Sequence, residues 1–256
     1  MFCTVIIPVH KYNDDVKKLL TRAVNSVKAF KDKEIALMIV SPEDIDVNNF
    51  SWIKYNNLTF VKSRNSDYQV QINDAVDHCE TDYFSILEFD DEFTPKWFNN
   101  VRKEIELGEQ ASLYLPLTEL VDYKESDKGS IGYINEAALA TSFSDEIGYL
   151  DVEALLAYMN FSVAGGVFTK KDFIKAGKLK ESMQFSFWYE YLLRSVNAGY
   201  KAYVIPKVGY KHYINRDDSL TEFYANNMKE DEVDFWVDTA KKEYLFLRDR
   251  NKTYEE

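Results

Sequence analysis

The stretch that decides the fold is residues 83–92, Tyr-Phe-Ser-Ile-Leu-Glu-Phe-Asp-Asp-Glu, in which an apolar run leads directly into acidic residues. A short apolar run with β-forming side chains is typical of a buried strand, so we predict a strand over Tyr83–Phe89. Pro95 then predicts the start of a helix. The carboxylates that the strand places at its end are Glu88, Asp90 and Asp91.

The same alternation of strand and helix precedes this segment. Apolar runs predict strands, and a stripe of apolar residues at helical spacing predicts a helix that covers the sheet. The strands are expected at Cys3–Val9, Ile35–Val40 and Leu58–Val61, and the helices at Asp14–Phe30 and Val70–Cys79. Such βαβ units indicate an α/β fold with a mainly parallel central sheet flanked by helices and a ligand site at the carboxyl ends of the strands.

The second half shows a looser pattern. It predicts a strand at Ser112–Leu117, helices at Asp151–Met159, Phe185–Asn197 and Glu230–Leu247, and a strand at Tyr200–Ile205 that Pro206 ends. We therefore expect one domain with four parts: residues 1–106 with the regular alternation, 107–165 as a variable insert, 166–229 where the alternation resumes, and 230–256 as a C-terminal helix.

Composition narrows the class of protein. The chain has 256 residues, 46% of them hydrophobic, which is enough for one sizeable core. Its 31 basic and 43 acidic residues give a net charge of −12, which opposes a broad nucleic-acid surface. Two cysteines, Cys3 and Cys79, are too few for a disulfide framework. No apolar run is long enough for a membrane span and no targeting segment is visible, so we expect a cytoplasmic protein.

Glycine placement excludes several nucleotide folds. All nine glycines lie at or after Gly108. A dinucleotide-binding GxGxxG turn and a P-loop both need glycine directly after the first strand, where the backbone approaches phosphate closely. Any nucleotide bound by this chain is held in another way.

The clustered carboxylates allow two interpretations. Oxygen ligands of this kind suit Mg²⁺ or Mn²⁺, which would then bridge the phosphates of a nucleotide. Acidic residues are also favoured in a solvated turn before a helix N-terminus. The residues alone leave both interpretations open.

Several segments together resemble family 2 glycosyltransferases with the GT-A fold. The first is the run Thr4–Val9, and it is joined by Asn73, Tyr83 and the Glu88–Asp91 run followed by Pro95. Aligned on the acidic run, Asn73 falls on the family's asparagine. A looser match follows over Ala176–Glu181 and Tyr189–Arg194. The resemblance covers about residues 2–105 and 162–220. It implies that residues 1–106 are the nucleotide-sugar-binding half and residues 166–229 the acceptor and catalytic half.

The resemblance implies the reaction and its cofactors. It implies metal-dependent transfer of a sugar from a nucleotide-sugar donor, most simply a UDP-sugar, to a carbohydrate or other hydroxyl acceptor, with inversion at the anomeric carbon. Mn²⁺ or Mg²⁺ would be held by Asp90 and Asp91, with His212 beyond the strand that ends at Pro206. The nucleotide-sugar contacts would include Pro8, His10, Asn73 and Glu88.

Departures from the family pattern mark the other candidates. The first Asp of the family's Asp-x-Asp is Glu88, and the acidic turn after the second strand offers either Glu43 or Asp44 for the base or ribose. The catalytic Glu-Asp pair would fall on Phe187 and Trp188.

The catalytic base is therefore sought elsewhere. The nearest carboxylate on that helix is Glu190, whose alternative role is an ion pair with Arg194 at i+4, and Glu181 is the second candidate. Lys211 and Arg216 are cations that suit a diphosphate, or alternatively ordinary solvated charges.

Two other functions remain open. The absence of the acidic pair favours a non-catalytic GT-A-like binding module. A glycosyltransferase acting on modified DNA bases would need a local basic groove in this acidic protein. A nucleotidyltransferase fits least, because the early glycines are missing.

Overall fold

The computed structural model describes residues 1–30, 35–141, 143, 146–216 and 228–252, with the side chains of Lys128 and 242–252 left out. Its first half alternates strands and helices as expected. The elements are β1 (Cys3–Pro8), α1 (Asp14–Lys28), β2 (Ile35–Pro42), β3 (Leu58–Ser63), α2 (Tyr68–His78) and β4 (Tyr83–Ile86).

Helix α1 shows how local chemistry forms these elements. The side chain of Asn13 accepts a hydrogen bond from the Val16 amide at 2.8 Å, which caps the first turn. The apolar stripe from Val16 to Val27 is buried against the sheet. The apolar stripe that predicted this helix is confirmed.

The second half is less regular. Its elements are β5 (Glu92–Phe93), α3 (Trp97–Glu106), β6 (Leu113–Asp122), β7 (Ser130–Ile134), α4 (Val152–Ala157), β8 (Val167–Thr169), α5 (Lys170–Lys175), α6 (Phe187–Asn197), β9 (Ala202–Ile214) and a C-terminal helix (Glu230–Lys252). The hairpin strand β7 and the two-residue β5 carried no sequence signal strong enough to predict them.

One sheet joins both halves of the chain, in the order β3-β2-β1-β4-β8-β6-β9-β5, with β7 paired to β6. Strands β1 to β4 pair in parallel, as do β6 and β9, whereas β8 runs antiparallel between β4 and β6. The predicted α/β fold with a mostly parallel sheet is confirmed. Antiparallel β8 places the segment before it beside the carboxyl end of β4.

The prediction that Pro206 ends a strand was wrong. Strand β9 continues through Pro206 to Ile214. Its pairing with β6 moves from Leu115↔Val204 to Leu117↔Val208, so β9 carries extra residues over this step. Such a bulge accepts a proline because no ladder hydrogen bond is required from it. The continuation carries β9 to the carboxyl end of β4.

Apolar side chains fill both faces of the sheet. Val5 and Ile7 of β1 belong to one buried cluster and Ile6 to the other, as the two-residue alternation of a strand requires. The C-terminal helix packs on the second cluster through Trp236, Val237 and the buried Ala240. The predicted contacts of Tyr244 and Leu247 lie outside the described side chains.

Among the helices of the described residues, none combines the length and the apolar character that crossing a bilayer requires.

We expect Gly209→Ala to destabilise the protein by about 1–3 kcal/mol, the usual cost of inserting a methyl group into a packed core. A Cβ at Gly209 would lie 2.4 Å from the indole of Trp97 and 2.7 Å from Cβ of Pro116. Urea unfolding measures the change. Gly132→Ala is the matched control, since the nearest atom to its Cβ would be 3.8 Å away. Equal effects of the two substitutions would contradict this packing.

Candidate active site

The acidic run forms a tight turn at the carboxyl end of β4. The strand ends at Ile86, earlier than the predicted Phe89, and the Leu87 amide still bonds to the Ile6 carbonyl of β1. The Asp91 amide then donates to the Glu88 carbonyl at 3.1 Å and closes the turn. We call residues 88–92 the acidic turn.

Asp91 joins this turn to β9. Its side chain is fully buried, with Oδ2 2.8 Å from Nδ1 of His212 and Oδ1 accepting the Tyr213 amide at 2.9 Å. Burial by itself lowers the pKa of His212, but the negative charges of Asp91 and Asp90 outweigh it and raise the pKa to about 9. Without a metal ion the imidazole therefore favours its protonated form beside the acidic turn, and binding of a metal ion through Nε2 would require loss of that proton.

Asp90 is paired with Arg216, the last described residue before position 228. Nη2 of Arg216 donates to Oδ2 of Asp90 at 2.7 Å, and the guanidinium lies 5.5 Å from the ring centroid of Phe89. Burial and the neighbouring Asp91 raise the pKa of Asp90 to about 6, while Arg216 opposes the rise. The predicted carboxylate, histidine and arginine thus meet at one place.

Glu88 points to a different set of partners. It accepts a hydrogen bond from the Tyr68 hydroxyl, and its amide donates to the Tyr210 hydroxyl at 3.0 Å. Burial, with added repulsion from Asp90 and Asp91, raises the pKa of Glu88 to about 8. Strand alternation alone would place Glu88 and Asp90 on one side, but both follow the end of β4 and bind different partners.

Aromatic rings stand where the family's acidic pair is expected. Tyr68 stacks on Phe187 with ring centroids 5.5 Å apart and meets Trp188 edge-on at 6.5 Å. Tyr68 also donates a hydrogen bond to Glu88, so it connects the first turn of α6 to the acidic turn. Sequence reasoning missed Tyr68 and Tyr210, since neither lies in a motif.

Glu190 takes the structural role that its spacing allowed. It is buried, and both oxygens bind Arg194, Oε1 to Nε at 2.7 Å and Oε2 to Nη2 at 3.0 Å. Lys180 lies 3.1 Å from the same carboxylate. Arg194 also donates to the carbonyls of Ala176 and Lys178. These contacts favour a fold-stabilising ion pair; catalysis by Glu190 stays a prediction.

Glu181 and Asn73 belong to a second network. The Asn73 amide donates to the Leu179 carbonyl at 2.9 Å and accepts the Leu179 amide at 3.1 Å. It also donates to Glu181, to which Arg64 donates at 2.6 Å. The Arg64 hydrogen bond holds the pKa of Glu181 below its usual value. Asn73 therefore anchors the segment around Leu179, while the Glu181 side chain stays 39% exposed.

The residues predicted to contact the nucleotide follow β1 and β2. Pro8 ends β1, and the His10 ring lies 5.6 Å from Phe89, beside the acidic turn. Glu43 and Asp44 are exposed after β2, where Lys62 donates to the carbonyls of Pro42 and Ile45 and fixes the loop. Parallel pairing of β1 and β2 brings these carboxyl ends to one edge of the sheet.

Lys211 lies apart from this cluster. It precedes His212 on β9, so its side chain leaves the opposite face of the strand. Its ammonium is 3.9 Å from Glu119, and it lines a surface groove beside α1. Lys211 pairs with Glu92 at the end of the acidic turn, but its side chain lies on the α1 side of the strand, so its contact with a diphosphate stays a prediction.

The side chains at the acidic turn are too few to hold a metal ion by themselves, and a bound diphosphate would have to supply further oxygen atoms. Among the described residues, no group of three or more His, Cys, Asp or Glu side chains is placed to hold a metal ion. Asp91 uses both oxygens internally, which favours a role in orienting His212. Mg²⁺ is commonly held by one or two carboxylates together with substrate phosphates, however. Asp90 and His212 suit that arrangement.

Comparisons with known proteins agree with this geometry. Residues 4–118 match the model of glycosyl transferase family 2. The fold is similar to that of S. aureus TarS 1-349, with a TM-score of 0.60, 14% identity and coverage of 88% of this chain and 63% of that one. The same protein in complex with UDP-GlcNAc gives a TM-score of 0.62 at 12% identity, over 84% and 59% of the chains. A search of curated proteins found no match.

The fold is GT-A-like, as in these TarS structures. Residues 4–118, somewhat less than half of the chain, are similar to glycosyl transferase family 2. The chain spans about three fifths of the TarS 1-349 chains that it resembles, 63% of the ligand-free one.

We expect Glu190→Gln to destabilise the protein by about 3 kcal/mol, because it leaves the cations of Arg194 and Lys180 beside a neutral buried partner. Urea unfolding measures the loss. Glu181→Gln is the control and should cost less than about 1 kcal/mol, since the Glu181 ion pair is partly exposed. Unchanged stability in Glu190→Gln with loss of turnover would instead identify Glu190 as the base.

Proposed function

We propose that this chain transfers a sugar from a nucleotide-sugar donor, most simply a UDP-sugar, to a hydroxyl acceptor. The observation that carries the proposal is the meeting of Asp90, Asp91, His212 and Arg216 at the carboxyl ends of parallel strands. Ligands bind at this edge in open α/β sheets. TarS structures in complex with UDP and with UDP-GlcNAc support the donor class.

The nucleoside is proposed to lie over the ends of β1 and β2. His10 is near enough to Phe89 to border the base, and the exposed carboxylates Glu43 and Asp44 can accept hydrogen bonds from ribose hydroxyls. Glu88 lies between this area and the aromatic rings of α2 and α6.

The diphosphate is proposed to lie at Asp90 and His212. A bound Mn²⁺ or Mg²⁺ there would neutralise the charge that develops on the departing diphosphate. Asp90 and His212 are the candidate ligands, and Asp91 orients His212 from behind. Arg216 now binds Asp90, and the same guanidinium can donate to phosphate oxygens when a donor is present.

The transfer needs a proton acceptor. The acceptor oxygen forms a bond to the anomeric carbon, the bond from that carbon to the diphosphate breaks, and the hydroxyl proton passes to a carboxylate. Of the two candidates, Glu181 is the one that an acceptor can reach, since Glu190 is buried in its ion pair. We propose Glu181 for this role.

A non-catalytic binding module is the second candidate function. It is favoured by Phe187 and Trp188, which fill the place of the acidic pair with aromatic rings. Nucleotide binding without turnover or donor hydrolysis would select this alternative.

We expect UDP with Mn²⁺ to raise the melting temperature of the wild type and to have much less effect on Asp90→Asn. A ligand that binds only the folded state at a hundred times its Kd adds about 2.7 kcal/mol of stability. Thermal unfolding with and without each ligand measures the shift. Asp127→Asn, an exposed carboxylate elsewhere on the chain, should respond like the wild type. No shift in the wild type with any nucleotide would contradict the proposed donor site.

We also expect inversion at the anomeric carbon. With water as acceptor, the α-linked sugar of UDP-GlcNAc should be released first as the β-anomer, because single displacement inverts the attacked carbon. A proton NMR time course of the anomeric signals measures the configuration before mutarotation. An initial α-anomer would rule out the single displacement.

A further inference from the structure

Arg22 of α1 lies outside every motif named above, yet it contacts the acidic turn from behind. Its Nη2 donates to the backbone carbonyl of Asp90. Its Nε lies 3.0 Å from Oε1 of Glu92. One guanidinium thus binds the turn on both sides of the buried Asp91.

Tyr213 supports the guanidinium in this position. The Arg22 guanidinium carbon lies 3.8 Å from the centroid of the Tyr213 ring. The Tyr213 hydroxyl donates to Glu92 at 2.9 Å, and its amide donates to Asp91 at 2.9 Å. A cation that lies over an aromatic face, donates a hydrogen bond and forms an ion pair has little freedom to move. Arg22, Tyr213 and Glu92 form one layer behind the turn.

Helix α1 is a rigid base for this layer. Ala23 and Val24, next to Arg22, are fully buried in the core. One turn further along, the Ser26 hydroxyl accepts the Phe93 amide at 3.1 Å. Helix α1 therefore holds the acidic turn at Asp90 and the residue that follows it at Phe93.

We infer that Arg22 is a positioning residue, which fixes the acidic turn so that the Asp90 carboxylate faces the donor diphosphate. It contacts the turn through the backbone and Glu92, on the side that Tyr213 covers, and so acts through Asp90. The inference rests on the proposed function, because the donor is what the positioned carboxylate serves.

The test uses the full chain and titrates UDP in the presence of Mn²⁺ by isothermal calorimetry. Arg22→Met removes the hydrogen bond to Asp90 and the ion pair with Glu92 but keeps much of the apolar stem. We expect it to weaken UDP binding roughly tenfold to hundredfold, the usual result of a displaced binding group. Arg22→Lys keeps the charge without the planar fork and should fall between Arg22→Met and the wild type.

Arg102→Met is the matched control. Arg102 is also half-buried on a helix, with its guanidinium 4.7 Å from the Phe2 ring centroid, away from the acidic turn. Its loss should leave UDP binding unchanged. Equal weakening in both variants would attribute the effect to general destabilisation and overturn the inference.

A second measurement keeps the inference separate from the proposed function. Amide hydrogen exchange of the ligand-free protein should accelerate over residues 88–93 in Arg22→Met and stay unchanged over α3. Absence of UDP binding in the wild type would overturn the proposed donor, while exchange still reports on Arg22. Wild-type UDP affinity together with wild-type exchange in Arg22→Met would overturn the positioning role. If Arg22→Met does not fold, the same two measurements on Arg22→Lys decide it.

Discussion

The buried carboxylate of Asp91 is the interaction on which the site depends. A charge removed from water is costly unless its oxygens are paired, and here the His212 ring and the Tyr213 amide pair both of them. The pairing fixes the end of β9 against the turn after β4. Arg216 follows on the same chain two residues beyond β9, and it reaches Asp90 from that position.

The contact between Asp91 and β9 also explains how the other side chains are arranged around the acidic turn. Strands β5 and β9 pair in antiparallel orientation, with Glu92 opposite Lys211. The layer formed by Arg22, Tyr213 and Glu92 lies on the side of α1. Tyr210, two residues before His212, reaches the Glu88 amide instead. The acidic turn is therefore held on one side by the guanidinium of Arg22 and on the other by the hydroxyls of Tyr68 and Tyr210.

The opposite wall of the site is built from α6 and the segment before it. Glu190, Arg194 and Lys180 are joined by short ion pairs, and Arg194 also binds two backbone carbonyls. Unpaired backbone carbonyls are costly in a protein interior, so this group stabilises the irregular segment. The aromatic first turn of α6 then faces Tyr68 rather than offering a carboxylate.

The regular part of the fold was predictable because it depends on local spacing. Asn13 caps α1 and the apolar stripe buries it, and the run before Glu88 forms a strand, as sequence spacing alone indicates. Sequence spacing allowed Glu190 to be either a catalytic base or the ion-pair partner of Arg194, and only its neighbours in the folded structure favour one of these roles. Pro206 misled the prediction, since a bulge in a paired strand tolerates proline and the pairing is not local.

By itself, the sequence determined the alternation of strands and helices in the first half, the family resemblance and the acidic end of β4, because these follow from short-range periodicity and motif spacing. Only the tertiary structure decided which side chains meet there. Asp91 and His212 are 121 residues apart, and Arg22 lies 68 residues from Asp90. Contacts over such separations depend on the order and direction of strands in the sheet, which no local pattern encodes.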